Sequence, residues 1–230
     1  MIAIVSDIHG NLPALKSVLA KADALGCARV ISLGDVAGYY AQPGECIDLL
    51  REYRAVNILG NHDFYLVSGS ACPRSKLVAE ITEYHRKIVT TEQVAWLRQS
   101  PSHIIEGDRY FVHGGWKDHM DQYLYKLSIS DFPEPAKYLF SGHTHVQALL
   151  PVQDKTYCNP GSVGQPRDGN PQAAFAVLTE EGVDLHRVEY DIDLTAFHMQ
   201  KAGFAPHTYE NLYIGAQIGG RIDKVILKET

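Results

Sequence analysis

Ile2-Ala3-Ile4-Val5-Ser6-Asp7-Ile8-His9-Gly10-Asn11 begins as an apolar run and stops at a carboxylate, an imidazole and a glycine. A short β-branched run closed by polar turn formers predicts a buried strand that delivers its last side chains to a sheet edge. Asp7 and His9 are two positions apart, so on an extended backbone both side chains leave on the same side. A carboxylate and an imidazole converging at a strand end make half of a metal site. An Asp in that position can equally form a turn or cap a helix.

Outward from this stretch, residues 13–25 carry Leu15, Val18, Leu19 and Ala22, with Pro13 near the start and Gly26 after the end, and predict a helix. Residues 29–33 predict a second buried strand, closed by Gly34-Asp35. Strand, helix and strand of this length form a βαβ unit with parallel neighbouring strands, which brings Asp35 close to Asp7 and His9. The pattern repeats with a helix over 43–53 and a strand over 55–59 that ends in Gly60-Asn61-His62-Asp63. Three strands then finish in polar clusters on one edge, where ligands bind in open α/β sheets.

Beyond these units, residues 74–89 and 91–98 predict two helices, the second opened by the capping signal Thr90-Thr91-Glu92-Gln93. Strands over 103–105 and 109–112 flank a Gly107-Asp108 turn, and the second runs into His113-Gly114-Gly115. A strand over 138–140 leads into Ser141-Gly142-His143-Thr144-His145, and strands over 148–152, 156–158, 173–178 and 183–190 follow. A last helix is predicted over 193–202, and the remainder carries no assignment.

A chain of 230 residues with 45% hydrophobic and 21% charged side chains suits one domain over 1–230. Its motif-bearing part is 1–190, and 191–230 is expected as a helical or irregular extension. The formal charge of −6 argues against a nonspecific nucleic-acid binder, which needs a basic face. It leaves phosphate substrates open, because bound cations supply positive charge locally. The four cysteines form no CxxC pair, and no segment is apolar and long enough to span a bilayer. These features predict a cytoplasmic protein with free thiols and no membrane or specific nucleic-acid partner.

Asp7, His9, Asp35, Asn61, His113, His143 and His145 all follow predicted strands at glycine-bearing turns. Mixed N and O donors without thiolate suit Mn, Fe, Co, Ni or Zn and suit Mg or Ca poorly. Seven ligands are too many for one ion and match two sharing a carboxylate, an arrangement that holds a hydroxide between ions about 3.5–4 Å apart. His85, His103, His119, His186, His198 and His207 follow no such turn and are expected at the surface or hydrogen-bonded in the core.

The ordered set Asp7-Ile8-His9, Gly34-Asp35, Gly60-Asn61-His62-Asp63, His113-Gly114 and Gly142-His143-Thr144-His145 resembles the calcineurin-like metallophosphoesterase superfamily, in its small prokaryotic phosphodiesterase-type branch. The resemblance implies an α+β fold, a four-layer αββα sandwich of two mixed sheets. It assigns Asp7, His9, Asp35 and His145 to one metal and Asp35, Asn61, His113 and His143 to the other, with Asp35 bridging. His62 is implied to face the phosphoryl group as acid or oxyanion stabiliser, and Asp63 either orients it or caps the following turn. The implied activity is hydrolysis of a phosphate ester, a small phosphodiester or nucleotide, by in-line attack of a metal-bridging hydroxide. Two alternatives stand beside it: a phosphomonoesterase or protein phosphatase, and a non-catalytic scaffold of the same fold such as a retromer subunit.

Val36-Ala37-Gly38-Tyr39-Tyr40 lacks the phosphate-binding Arg that follows this motif in protein serine/threonine phosphatases. Asn159-Pro160-Gly161-Ser162-Val163-Gly164-Gln165-Pro166-Arg167-Asp168 is expected to offer backbone N–H groups and one Arg to a phosphate, or else to be a tight turn. Asn11, Tyr39 and Arg167 are the candidate substrate contacts. Tyr39, Tyr40 and Trp116 are candidates for stacking on a nucleobase, with simple packing as the other reading.

Overall fold

A computed structural model describes residues 1–228. The opening run forms β1 (Ile2–Val5), and its alternation sorts the layers. Ala3 and Val5 face helices while Ile4 faces a second sheet, as a period of two requires. Next come α1 (Leu12–Ala24), β2 (Arg29–Ser32), α2 (Pro43–Glu52) and β3 (Val56–Asn57). Three helices follow, α3 (Asn61–Ser68), α4 (Lys76–Ile88) and α5 (Thr91–Arg98). Then come β4 (His103–Glu106), β5 (Arg109–Val112), β6 (Lys126–Leu127), β7 (Tyr138–Ser141), β8 (Ala148–Val152) and β9 (Lys155–Asn159). The described chain closes with β10 (Ala173–Leu178), β11 (Val183–Val188), α6 (Ile192–Lys201) and β12 (Ile226–Leu227).

Two mixed five-stranded sheets carry the fold. One runs β11-β10-β1-β2-β3, with β1, β2 and β3 parallel and β10 antiparallel to β1. The other runs β4-β5-β7-β9-β8, with β5, β7 and β9 parallel between two antiparallel edge strands. Each sheet therefore aligns several strand ends on one edge, and six loops bearing site residues start there. Between the sheets lie Ile4, Ile31, Phe111, Phe140 and Ala176. α1 and α2 bury Leu15, Val18, Ile47 and Leu50 against the outer face of the first sheet. The outer face of the second sheet is covered by Leu124, Leu127, Phe132 and Ala136, from a stretch whose helical content is one 3-10 turn, Ile129–Asp131.

Phe140 is fully buried and stacked on Phe111, with centroids 4.7 Å apart. Truncation there opens a cavity that two sheets cannot close, so Phe140→Ala is expected to cost about 3–5 kcal/mol of stability. A urea melt showing less than about 1 kcal/mol of loss would place the inter-sheet core elsewhere.

Most sequence-predicted elements form within a residue or two of their expected bounds, and α5 forms as predicted, with Thr90 Oγ1 accepting from the Gln93 N–H at 3.2 Å. Two features differ. β3 is only Val56–Asn57, and Gly60-Asn61-His62-Asp63 is the start of α3 rather than a loop. Asp63 at the third helical position accepts from the Gly60 N–H at 3.4 Å, a capping box that opens the helix at the site. The tail beyond α6 packs onto the fold: Ala216 and Leu212 are fully buried, and β12 pairs with β6.

Candidate metal centre

β1 stops at Val5, and the chain does not continue extended through Asp7 and His9. Both residues sit in the left-handed region, at φ 53° each, as do Asp35 (56°), His143 (65°) and His145 (59°). Asp7 and His9 do converge, His9 Nε2 lying 3.9 Å from Asp7 Oδ1, but not because the strand continues extended. A left-handed turn aims them instead, and the Asp7 and His9 N–H groups donate to Gly34 O and Asp35 O at 3.0 and 2.9 Å. Non-glycine residues rarely hold this conformation, at about 1–3 kcal/mol each, unless the surroundings impose it. Here it marks five of the predicted ligands. Two glycines make room for the approach: a Cβ on Gly38 would overlap His9 Nδ1, and one on Gly60 would overlap Asp35 Oδ1.

The loops bring all seven predicted ligands together, buried and on one edge. Asp7, His9 and His145 form one group, and Asp35, His113 and His143 another, each with donor atoms within 4.8 Å of one another. Asp35 stands in both neighbourhoods, its Oδ2 lying 3.8 Å from His9 Nε2 and 3.4 Å from His113 Nε2. Asn61 Oδ1 lies 3.1 Å from His113 Nε2. His62 joins through its Nε2, 4.0 Å from Asp35 Oδ2.

The tautomers follow from the outer partners. His9, His113 and His145 each place Nδ1 on a backbone carbonyl, of Ala37, Leu33 and Gln165, at 3.1, 2.9 and 2.8 Å. A carbonyl only accepts, so each Nδ1 carries the hydrogen and, in the neutral ring, Nε2 keeps a bare lone pair toward the site. His9 Nε2 and His145 Nε2 face each other at 3.0 Å. Burial holds both imidazoles well below their usual pKa, so no proton lies between them. Two ligand atoms each about 2.1 Å from one ion and at right angles are about 3.0 Å apart. The donor set and this spacing fit a divalent transition cation.

Charge is distributed unevenly across the centre. Burial pushes Asp7 up to about 6. Asp35 is also buried, yet the His113 and His62 imidazoles hold its carboxyl well below the usual carboxylate range. The Asp35 charge in turn outweighs burial at His113 and raises it to about 9. Burial takes His62 down to about 4 against the pull of Asp35. His62 Nδ1 has no hydrogen-bond partner among the described residues.

Several site predictions change. Asn11 was expected to touch substrate, but it is fully buried: Oδ1 accepts from the Ala14 N–H and from Thr195, and Nδ2 donates to Gly164 O. It caps α1 and ties the loop after β9 to the first turn. Asp63 does not orient His62, because its oxygens accept from the Ala37 and Gly60 N–H groups. The glycine-rich segment does not cradle an anion with its backbone. The N–H groups of Val163, Gly164, Gln165 and Arg167 go to Ser6 O, Asp7 O, Ser162 Oγ and His145 O, clamping the two ligand turns. Tyr40 and Trp116 pack in the interior and against Tyr110, respectively.

A cleft of about 620 Å³ opens beside the centre, lined by Asn61 and His62 and by the predicted contacts Tyr39 and Arg167. Arg167 is buried, donates from Nε and Nη2 to Gln165 Oε1 at 2.9 and 2.6 Å, and lies 5.4 Å from the Tyr39 ring centroid. Tyr123 also lines it and stacks on His143 at 3.9 Å. No motif marks Tyr123; the nearest signal is Tyr123 and Tyr125 spaced two apart on a loop that otherwise reads as irregular.

Known proteins agree with this architecture. The model of the calcineurin-like phosphoesterase superfamily domain matches residues 1–182. An uncharacterized protein of Methanocaldococcus jannaschii is 30% identical over 238 aligned positions that cover 94% of this chain and 98% of that one. The crystal structure of a metallophosphoesterase from Sphaerobacter thermophilus is 31% identical, covers 93% of this chain and 98% of that one, and superposes with a TM-score of 0.81. A hypothetical protein from Pyrococcus horikoshii shares the fold at the same TM-score of 0.81 with 20% identity, over 94% of this chain and 99% of that one. With a family match over most of its length and its motif residues gathered at one sheet edge, the chain belongs to the calcineurin-like phosphoesterase superfamily.

Proposed function

We propose that the chain is a metal-dependent phosphoesterase that hydrolyses a small phosphodiester or nucleotide. Asp7, His9, Asp35 and His145 would hold one divalent transition-metal ion, and Asp35, Asn61, His113 and His143 a second. When bound, such ions supply Lewis acidity at the phosphoryl oxygens and make water a nucleophile at neutral pH. The observation that carries the reading is Asp35 Oδ2, placed between His9 and His113 at 3.8 and 3.4 Å as a carboxylate shared by two ligand groups.

The chain's own residues do the rest. Nδ1–H donation to carbonyls fixes the His9, His113 and His145 imidazoles in their metal-binding tautomer. His62, kept neutral at pH 7 by burial, offers a ring N–H to a phosphoryl oxygen, so it suits oxyanion stabilisation better than proton donation from an imidazolium. Arg167, over the Tyr39 ring at 5.4 Å from its centroid, supplies a guanidinium for a further phosphoryl oxygen.

The test combines metal analysis with hydrolysis of p-nitrophenyl phosphate and bis(p-nitrophenyl) phosphate. Two metal equivalents per chain are expected, with Mn- or Ni-supported turnover that EDTA abolishes and that favours the diester. A protein that binds metal and turns over neither ester would be a scaffold, not an enzyme.

A further inference from the structure

The walls of the cleft carry more guanidinium donors than one scissile phosphoryl group requires. Arg74, Arg167 and Arg221 line it among the described residues, and no aspartate or glutamate does, in a chain whose formal charge is −6. With Arg167 beside Tyr39, Arg74 and Arg221 are left on the outer walls. Each has one carboxylate partner, Asp121 for Arg74 and Asp223, at 2.9 Å, for Arg221. A guanidinium has five N–H donors and one carboxylate takes two of them, so donors are left for a second anion.

A continuous path links these arginines to the ligand cluster. His143 stacks on Tyr123, Tyr123 stacks on Tyr125 with centroids 5.5 Å apart and planes 3° apart, and the Tyr125 hydroxyl donates to Asp223, the partner of Arg221. Gln217, Ile218 and Arg221 lie beyond residue 182, where the family match ends, and the Asp223 N–H donates to Arg167 O at 2.7 Å. The C-terminal extension is thus one wall of the cleft.

We propose that this extension makes the site selective for small phosphate esters carrying a second phosphoryl group, which Arg74 and Arg221 bind. The inference rests on the phosphoesterase reading for the first phosphoryl group. A cleft of about 620 Å³ matches a nucleotide-sized molecule.

The experiment compares AMP with ADP and with adenosine 3′,5′-bisphosphate on the metal-loaded protein, by titration calorimetry. The base and first phosphoryl group are common, so the affinity ratio reports the second. Wild type is expected to bind at least one of the two-phosphoryl nucleotides about tenfold more tightly than AMP. That ratio should fall several-fold in Arg74→Gln and in Arg221→Gln, both exposed enough to leave the fold intact, and should persist in Arg51→Gln, an exposed charge on α2 outside the cleft. Equal binding of all three nucleotides by wild type overturns the proposal, as does a preference that survives in both cleft variants. Hydrolysis of bis(p-nitrophenyl) phosphate is read separately. No turnover there defeats the phosphoesterase reading, while the affinity ratio still judges the arginines.

Discussion

Asp35→Asn is expected to empty both metal positions and to lower phosphoester turnover on the order of 10³–10⁴-fold, since Lewis-acid stabilisation is worth several kcal/mol at the transition state. The substitution is nearly isosteric and keeps Oδ1, which accepts from the His62 N–H at 2.8 Å, so the start of α3 survives. What disappears is the charge on Oδ2, the atom between His9 and His113. Loss of that charge also removes the main force raising the His113 pKa. Metal analysis and kinetics with added Mn are the measurements. Two retained equivalents with undiminished turnover would show that Asp35 is not the shared ligand.

His62→Ala separates binding from chemistry. The expected result is a 10²–10⁴-fold fall in kcat with both metals still bound, the range for a lost proton donor or oxyanion partner. His62 is suited to that role by position: Nε2 is 4.0 Å from Asp35, Nδ1 is unpartnered, and the ring packs 4.8 Å from His9 and 5.0 Å from Tyr39. Packing contacts alone would give a variant with altered stability and near-normal kcat. Metal loss in parallel with activity would make His62 a ligand instead.

The expected set of ligands needed no tertiary information. Asp7, His9, Asp35, Asn61, His113, His143 and His145 each follow a strand, and parallel βαβ connectivity places such ends on one edge. The parallel pairing of β1 with β2 was legible for the same reason, but the sorting of Ala3 and Val5 from Ile4 onto opposite faces was not, because Ile2–Val5 is apolar throughout and buried on both sides. α3 was missed although its capping residue, Asp63, was in view, because the glycine and the ligands around it also read as a turn.

Side-chain roles were less legible where a partner lies far along the chain. Asn11 looks like a site residue from its neighbours, yet Gly164, Thr195 and Tyr190 decide that it is a structural cap. The N–H groups after β9 are free on paper and spent in the fold on the Ser6, Asp7 and His145 turns. Arg74 and Arg221 share no motif, and only the packing of the tail against Tyr125 and Arg167 sets them on one cleft. Local pattern carries the identity and order of the candidate ligands, because strand ends and turns are set by neighbours in sequence. The fold decides which polar groups are left unpaired to meet a substrate, because that depends on hydrogen bonds closed across 100 residues or more.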